Sequence, residues 1–342
     1  MNAKLKHHFQ CQKRRLIDAW LLRGYRRPAA RGDIVIETTN ACTLRCTCCP
    51  NGISGTPIRP RGVMSRATFD AVLAALDLPV RSAFLHMCGE PTLCADLPAF
   101  ARRLADKGIQ PVLFSNGLHI DMALLEDLLA TPRLKMAFSM DLLDKPHYER
   151  IRVPARYEEA EAELARLDAA FARAGKYFGL NVIVNPDAVA RLEADADRLF
   201  ATYPRLNNIS LGSAFPWPGL PQTGDVAGHL AAHAAYWHCA MKTPSVLWNG
   251  DVSFCNLDYQ GATIIGNVRE ATLRQLYNNA CARRFRRNLL AGHPERNGLC
   301  RECLVPRTRM LNLNLYRNKF SRMEPMERAR FFGQIADYYA LS

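Results

Sequence analysis

Four cysteines fall within eight positions in the stretch NACTLRCTCCPNG, residues 40–52. Three of them, Cys42, Cys46 and Cys49, are spaced C-x3-C-x2-C, so one short loop offers three thiolates. On a four-iron cubane, three protein thiolates leave one iron open to bind something else. A closed structural zinc site takes four ligands, and Cys48 could supply the fourth, although adjacent cysteines can hardly both turn toward one ion without strain. A second group lies late in the chain: Cys239 and Cys255, with Gly250 between them, then Cys300 and Cys303 in CREC. Two such pairs suit a zinc ribbon and an iron–sulfur cluster equally well.

So many thiols belong in a reducing compartment. The N-terminus MNAKLKHHFQCQKRRLIDAW has no apolar core or small-residue cleavage site of a signal peptide, and no apolar run reaches membrane-spanning length. The cytoplasm is therefore the expected location, and clustered cysteines there indicate metal binding or catalysis rather than disulfides. A hydrophobic fraction of 49% with 23% charged residues excludes a disordered or fibrous chain.

The elements that must position these thiols alternate regularly. Strands are expected over 33–39, 82–87, 111–116, 135–140, 179–184 and 207–212. Helices are expected over 65–77, capped by Ser65, and near 95–107, 121–131, 156–174 and 189–202. Strands alternating with helices imply a parallel sheet, and six units suit a partial barrel better than an eightfold one. Ligands of such sheets sit at the carboxyl ends of the strands, where the first cysteine loop lies.

C-x3-C-x2-C directly after a first strand resembles the signature of the radical S-adenosylmethionine enzymes. The resemblance implies that Cys42, Cys46 and Cys49 hold a [4Fe-4S] cluster. Its open iron would bind the amino and carboxylate groups of S-adenosylmethionine and cleave it to a 5'-deoxyadenosyl radical. Cys48 stands where the family usually has an aromatic residue. After the second strand, MCGEPTL supplies Gly89, Glu90 and Pro91, similar to the family's Gly-Glu-Pro motif for the methionine amino group. After the third, FSNG resembles its Asn-Gly turn with Asn116. After the fourth, FSMD resembles the Ser-x-Asp segment near the ribose, offering Ser139 and Asp141, and Arg152 in YERIRVPARY resembles an arginine near the cofactor carboxylate. Alone, each short motif is usually a turn. Their order after successive strands makes them specific.

C-x10-G-x4-C followed by C-x2-C resembles the SPASM and twitch domains appended to such barrels. That implies one auxiliary [4Fe-4S] cluster on Cys239, Cys255, Cys300 and Cys303, and the lack of later cysteines resembles the shorter twitch type. The fold class expected is α/β: a partial (β/α)6 TIM-like barrel of parallel strands with a small C-terminal cluster-binding α+β domain. The divisions are a basic helical extension over 1–32, the barrel over 33–215, and the auxiliary domain with a C-terminal helix over 216–342.

The resemblance implies hydrogen-atom abstraction, followed by oxidation, epimerisation or a linkage step, with flavodoxin or ferredoxin as the kind of reductant required. A dehydrogenase or epimerase acting on a sugar, aminocyclitol or nucleotide-linked glycan is the first reading. A peptide maturase is the second; such enzymes often carry a leader-binding module before the barrel, and only 41 residues precede Cys42 here. A non-enzymatic zinc-binding protein is the third. An epimerase needs a hydrogen-atom donor, and Cys48, Cys88 and Cys94 are expected at the barrel mouth; ordinarily free cysteines are small buried hydrophobes, the role assigned to Cys11 and Cys281. Asp225 and Asp258 are candidate general bases toward a substrate hydroxyl, although loop carboxylates are usually solvated. The net charge of +13, concentrated at the two ends, would attract an anionic small-molecule substrate or a membrane surface. The basic N-terminal helix with its apolar stripe suits peripheral membrane contact, though packing on the barrel is the more usual role for such a stripe. Nucleic acid ranks last, since no nucleic-acid module accompanies the charge.

Overall fold

Short apolar runs flanked by turn residues form the strands, and amphipathic segments between them form the helices that cover one face of the sheet. The computed structural model describes residues 32–53, 59–141, 144–220, 239, 245–305 and 311–340. The N-terminal extension therefore lies outside the described residues, as do Cys11 and Asp225. Strands β1 (Asp33–Ile36), β2 (Ser82–Phe84), β3 (Gln110–Ser115), β4 (Lys135–Ser139), β5 (Tyr177–Ile183) and β6 (Asn208–Gly212) pair in sequence order, every neighbour parallel.

Helices α1 (Arg66–Ala75), α2 (Leu97–Asp106), α3 (Met122–Ala130), α4 (Tyr157–Arg173) and α5 (Leu192–Thr202) make the crossovers. Ser65 caps α1 as expected, accepting the Thr68 N–H at 3.1 Å. A further helix, Lys145–Ile151, was not expected; Asp144 caps it by accepting the His147 N–H at 3.0 Å. The alternation along each strand sorts the faces. Phe178, Leu180, Val182, Ile209 and Leu211 enter the helix-covered core, while Asn181, Ser210 and their in-phase neighbours face the barrel interior.

The expected domain boundary at 215/216 does not interrupt the sheet. From the C-terminal segment, β7 (Ser245–Val246) pairs parallel with β1 and continues antiparallel into β8 (Asp251–Ser253) and β9 (Ile264–Asn267). At the other end β10 (Asn312–Tyr316) pairs antiparallel with β6 over five residues. One sheet of ten strands results, in the order β10-β6-β5-β4-β3-β2-β1-β7-β8-β9. Both edges of the six-stranded core are thereby covered by the C-terminal segment. No helix among the described residues is long and apolar enough to cross a membrane.

Candidate active site

The loop after β1 is held from both sides before any cysteine is considered. Asn40 donates from Nδ2 to the Pro60 carbonyl at 3.0 Å and accepts the Gly62 N–H at 2.9 Å, while the Thr39 hydroxyl donates to the Gly62 carbonyl at 2.7 Å. Farther along, the Arg45 and Thr47 N–H groups donate to the carbonyls of Val153 and Ile151 at 2.6 and 2.9 Å. Two glycines allow the close approach. A Cβ at Gly52 would lie 2.1 Å from the Cys46 carbonyl oxygen, and one at Gly89 would lie 2.1 Å from that of Thr39. The Glu90 N–H then donates to the Ala41 carbonyl at 2.8 Å, locking the Gly-Glu-Pro loop onto the cysteine loop.

This frame brings Cys42, Cys46 and Cys49 together, half-buried and close enough for each thiolate to raise the pKa of another. Burial pushes the Cys42 thiol up to about 12 and the Cys46 thiol up to about 11, the latter opposed by the Arg152 guanidinium, which also hydrogen-bonds its sulfur. Thiolates here need a cationic partner, which iron would supply. Among the described residues, no three His, Cys, Asp or Glu side chains converge on a point suited to one ion. A cubane does not require that convergence, because each thiolate binds its own iron.

The other thiols separate into three cases. Cys88 is 8% exposed and donates to the Cys49 sulfur, a bond that holds Cys49 below its ordinary value and drives Cys88 well above it. Burial raises Cys48 to about 12; it lies near Arg152 and Cys46, and its carbonyl accepts the Trp217 Nε1–H at 2.9 Å. Cys94 is fully buried among the core hydrophobes of the barrel, so the expectation of a thiol at the mouth fails for it.

Glu90, 3% exposed, ties the loops after β2 and β3 together. Its Oε1 accepts from the Thr92 N–H at 3.1 Å, the Thr92 hydroxyl at 2.8 Å and the Ser115 hydroxyl at 2.7 Å, and its Oε2 accepts the Asn116 N–H at 2.8 Å. Burial raises its pKa against these four donors. Oε1 is saturated, so only Oε2 retains acceptor capacity for a ligand. Asn116 is buried with its Oδ1 on the Leu118 N–H at 3.1 Å, and Gly117 turns the chain at φ +74°, where a Cβ would lie 2.2 Å from the Phe138 ring. Asp141 and Arg152 form a two-pronged buried ion pair at 2.9 and 3.1 Å, and Asp141 Oδ1 also accepts the Ile183 N–H at 2.8 Å. Ser139, at the end of β4 beside Asn181, is 9% exposed.

Several interior residues were missed by sequence reading. Glu37 directly follows β1, is fully buried, and pairs with Arg59 at 2.7 Å; Arg59 also donates from Nε to the Tyr259 carbonyl at 2.7 Å. Tyr259 meets Trp217 edge-on at 5.8 Å, so these residues weld the mouth to the C-terminal segment. His86, after β2, accepts the Phe114 N–H on Nδ1 at 3.3 Å and stacks on that ring at 4.7 Å. Burial lowers its pKa to about 4, so it is neutral and carries its proton on Nε2. A charged or polar residue in phase with the interior side of a buried strand was the available signal.

Cys239, Cys255, Cys300 and Cys303 line one cavity with Phe254, Leu289, Leu299 and other apolar side chains. Burial drives the Cys300 thiol strongly upward, with Cys255, Cys303 and Cys239 adding to it. Asp258 sits beside this cavity, fully buried rather than solvated. Its Oδ1 accepts the Ala262 N–H at 2.8 Å, and its Oδ2 accepts the Thr263 N–H and hydroxyl at 2.7 Å each and the Ser253 hydroxyl at 2.8 Å. That assignment corrects its reading as a general base: it is a fastener of the loop bearing Cys255. Asp258→Asn turns an NH2 toward these donors, costing about 1–3 kcal/mol for each one left without a partner. The expected result is a lower unfolding midpoint and a lower iron content of the reconstituted protein; unchanged iron and midpoint would refute the role.

Comparison with known proteins places the two cysteine groups in matched segments. A family model described as the radical SAM superfamily matches residues 36–190, and one described as the SPASM iron-sulfur cluster-binding domain matches residues 239–304. The S-adenosyl-L-methionine-dependent 2-deoxy-scyllo-inosamine dehydrogenase of Niallia circulans is 21% identical over 275 residues, 79% of this chain and 91% of that protein. The crystal structure of BtrN in complex with AdoMet and 2-DOIA superimposes with a TM-score of 0.52 at 18% identity, covering 81% of this chain and 94% of that one. Streptococcus suis SuiB bound to precursor peptide SuiA gives 0.60 at 14% identity, covering 82% and 71%.

Proposed function

Since the chain belongs to the radical S-adenosylmethionine superfamily and carries a C-terminal SPASM domain, with S-adenosylmethionine and two [4Fe-4S] clusters as its cofactors, we propose that it is a dehydrogenase of a cyclic polyol or aminocyclitol. The observation that carries this reading is the similarity to the 2-deoxy-scyllo-inosamine dehydrogenase along nearly the whole of that protein.

In this reading Cys42, Cys46 and Cys49 hold the first cluster and Cys239, Cys255, Cys300 and Cys303 the second. Gly89, Glu90, Pro91, Asn116, Ser139, Asp141 and Arg152 surround the cofactor. When bound, these groups supply a 5'-deoxyadenosyl radical and a one-electron acceptor. Arg152 neutralises Asp141 and faces Cys46, holding positive charge beside the sulfurs. The spare lone pair of Glu90 Oε2 would be available to an N–H of the cofactor amine. Trp217, bonded to the Cys48 carbonyl, and Tyr259 pack together beside the cysteine loop.

Epimerisation would further require a thiol that returns a hydrogen atom. Cys88 commits its hydrogen to Cys49 and Cys94 lies in the core, so of these three described cysteines Cys48 is left for that task. Dehydrogenation needs no such donor, and a base for the substrate hydroxyl suffices; Asp225 is the sequence candidate for it, and Glu37, like Glu90 and Asp141, is a buried carboxylate of the interior. A low-potential donor of the flavodoxin or ferredoxin type and the reducing cytoplasm suit both cluster sites.

The test is product analysis. Anaerobically reconstituted protein with S-adenosylmethionine and reductant is given 2-deoxy-scyllo-inosamine, related cyclitols, nucleotide sugars and unstructured peptides. A cyclitol product lacking two hydrogens, formed in step with 5'-deoxyadenosine, is expected. Solvent deuterium at carbon without oxidation would make the enzyme an epimerase, and turnover of peptides alone would make it a maturase.

A further inference from the structure

We propose that the interior face of β6 and β10, with Ser210, Asn312, Asn314 and the adjoining Asn181 of β5, binds the hydroxyl groups of the substrate; the proposal rests on the polyol reading above. Strand register carries it. Asn181 is opposite Ser210, Ser210 is opposite Asn314, and Gly212 one step higher is opposite Asn312. The four polar side chains thus occupy two adjacent levels of one surface, on the side of the strands away from the helix-covered core that Leu180, Leu211 and Leu315 enter. Three neighbouring strands each place an uncharged polar residue at the same interior level, a pattern that packing alone does not require.

The hydrogen-bonding capacity of this surface is largely unspent. Among the described residues, no hydrogen bond engages the side chains of Asn181, Ser210 or Asn312. Asn314 uses only its Oδ1, which accepts the Asn208 Nδ2–H at 3.1 Å and leaves its own NH2 free to donate. Amides and a hydroxyl offer donors and acceptors in near-equal number, which suits hydroxyl groups. A phosphate or carboxylate would call for arginine or lysine instead. The surface therefore selects a neutral ring or one bearing an amine, which narrows the anionic substrate expected from net charge.

The remaining interior suits the other side of such a ring. Ala137 and Gly179 pair on the level below Ser139 and Asn181, so small residues form the floor beneath the polar level. Toward β2 and β3, the stacked His86 and Phe114 rings give a flat plate, 11° from parallel, for ring C–H groups, with neutral His86 adding one N–H donor at its edge. Asn312 and Asn314 come from the C-terminal segment, so recognition and closure of the sheet share one strand.

The experiment is calorimetric titration of the reconstituted full chain with S-adenosylmethionine bound. The probes are 2-deoxy-scyllo-inosamine, scyllo-inositol and the hydroxyl-free cyclohexylamine, titrated into wild type, Ser210→Ala, Asn312→Ala, Asn314→Ala and the Asn312→Ala/Asn314→Ala double variant. Asn312 and Asn314 are exposed, so their variants fold, which circular dichroism and iron content check. Each single change should weaken binding of the hydroxylated probes about fivefold and the double about thirtyfold, with cyclohexylamine unaffected. Wild type that binds and oxidises a cyclitol, with every variant binding it equally, would overturn this assignment and leave the dehydrogenase reading standing. Wild type that neither binds nor oxidises any cyclitol would overturn both.

Discussion

Cys42→Ala/Cys46→Ala/Cys49→Ala is expected to lower the iron content of the reconstituted protein from about eight to about four atoms per chain and to abolish 5'-deoxyadenosine formation. The three positions share one loop whose every turn is fixed elsewhere, by Asn40 and Thr39 on one side and by Ile151 and Val153 on the other. Alanines therefore remove the thiols without releasing the loop. The second site is lined by cysteines of the C-terminal segment alone, so its iron should remain. EPR of the dithionite-reduced variant should show one signal where wild type shows two. Retention of eight irons, or of cofactor cleavage, would remove the triad from the assignment; Cys281→Ala serves as the control that changes neither.

The second large effect concerns Arg152. It is 7% exposed, Asp141 is 2% exposed, and each is the other's principal charge partner. Removing one partner strands the other, at a cost of about 3–5 kcal/mol, whereas removing both together costs less than the sum. Arg152→Ala also strips Cys46 of the positive charge that opposes its burial. The expected results are a large loss of stability in urea denaturation, faster release of the first cluster, and a coupling of about 2 kcal/mol or more in a cycle with Asp141→Ala. Arg152→Lys should recover charge but not the two-pronged geometry, and so only part of the stability. Strictly additive losses would show that the pair does not act as a unit.

Much of this site is legible in the amino-acid sequence alone. The six parallel strands are short apolar runs because one face lies under helices and the other turns into the barrel, and each boundary falls near its turn residues. The motif loops follow from their places after those strands. What the sequence does not disclose is whatever depends on partners far along the chain. β7 has two residues and pairs with a strand more than two hundred positions earlier, and NLNLY of β10 alternates like a strand without saying which edge it joins. For the same reason Glu90 announces its motif but not its four donors, and Asp258 looks like any loop carboxylate. Glu37 and Arg59 stand in stretches that match no motif and become a pair only when the mouth closes.

The antiparallel and parallel additions at the two ends of the sheet also set an order of events during synthesis. β1, which carries the first cysteine loop, emerges long before β7, and at about 5–20 residues per second the interval is roughly 10–40 seconds. Throughout that time the nascent barrel exposes bare strand edges, which invite pairing with other chains. Cys42, Cys46 and Cys49 are all present by then, while β7 and β10, which cover the two edges, have yet to emerge. The interval gives chaperones a reason to attend this protein until β7 and β10 dock on the two edges.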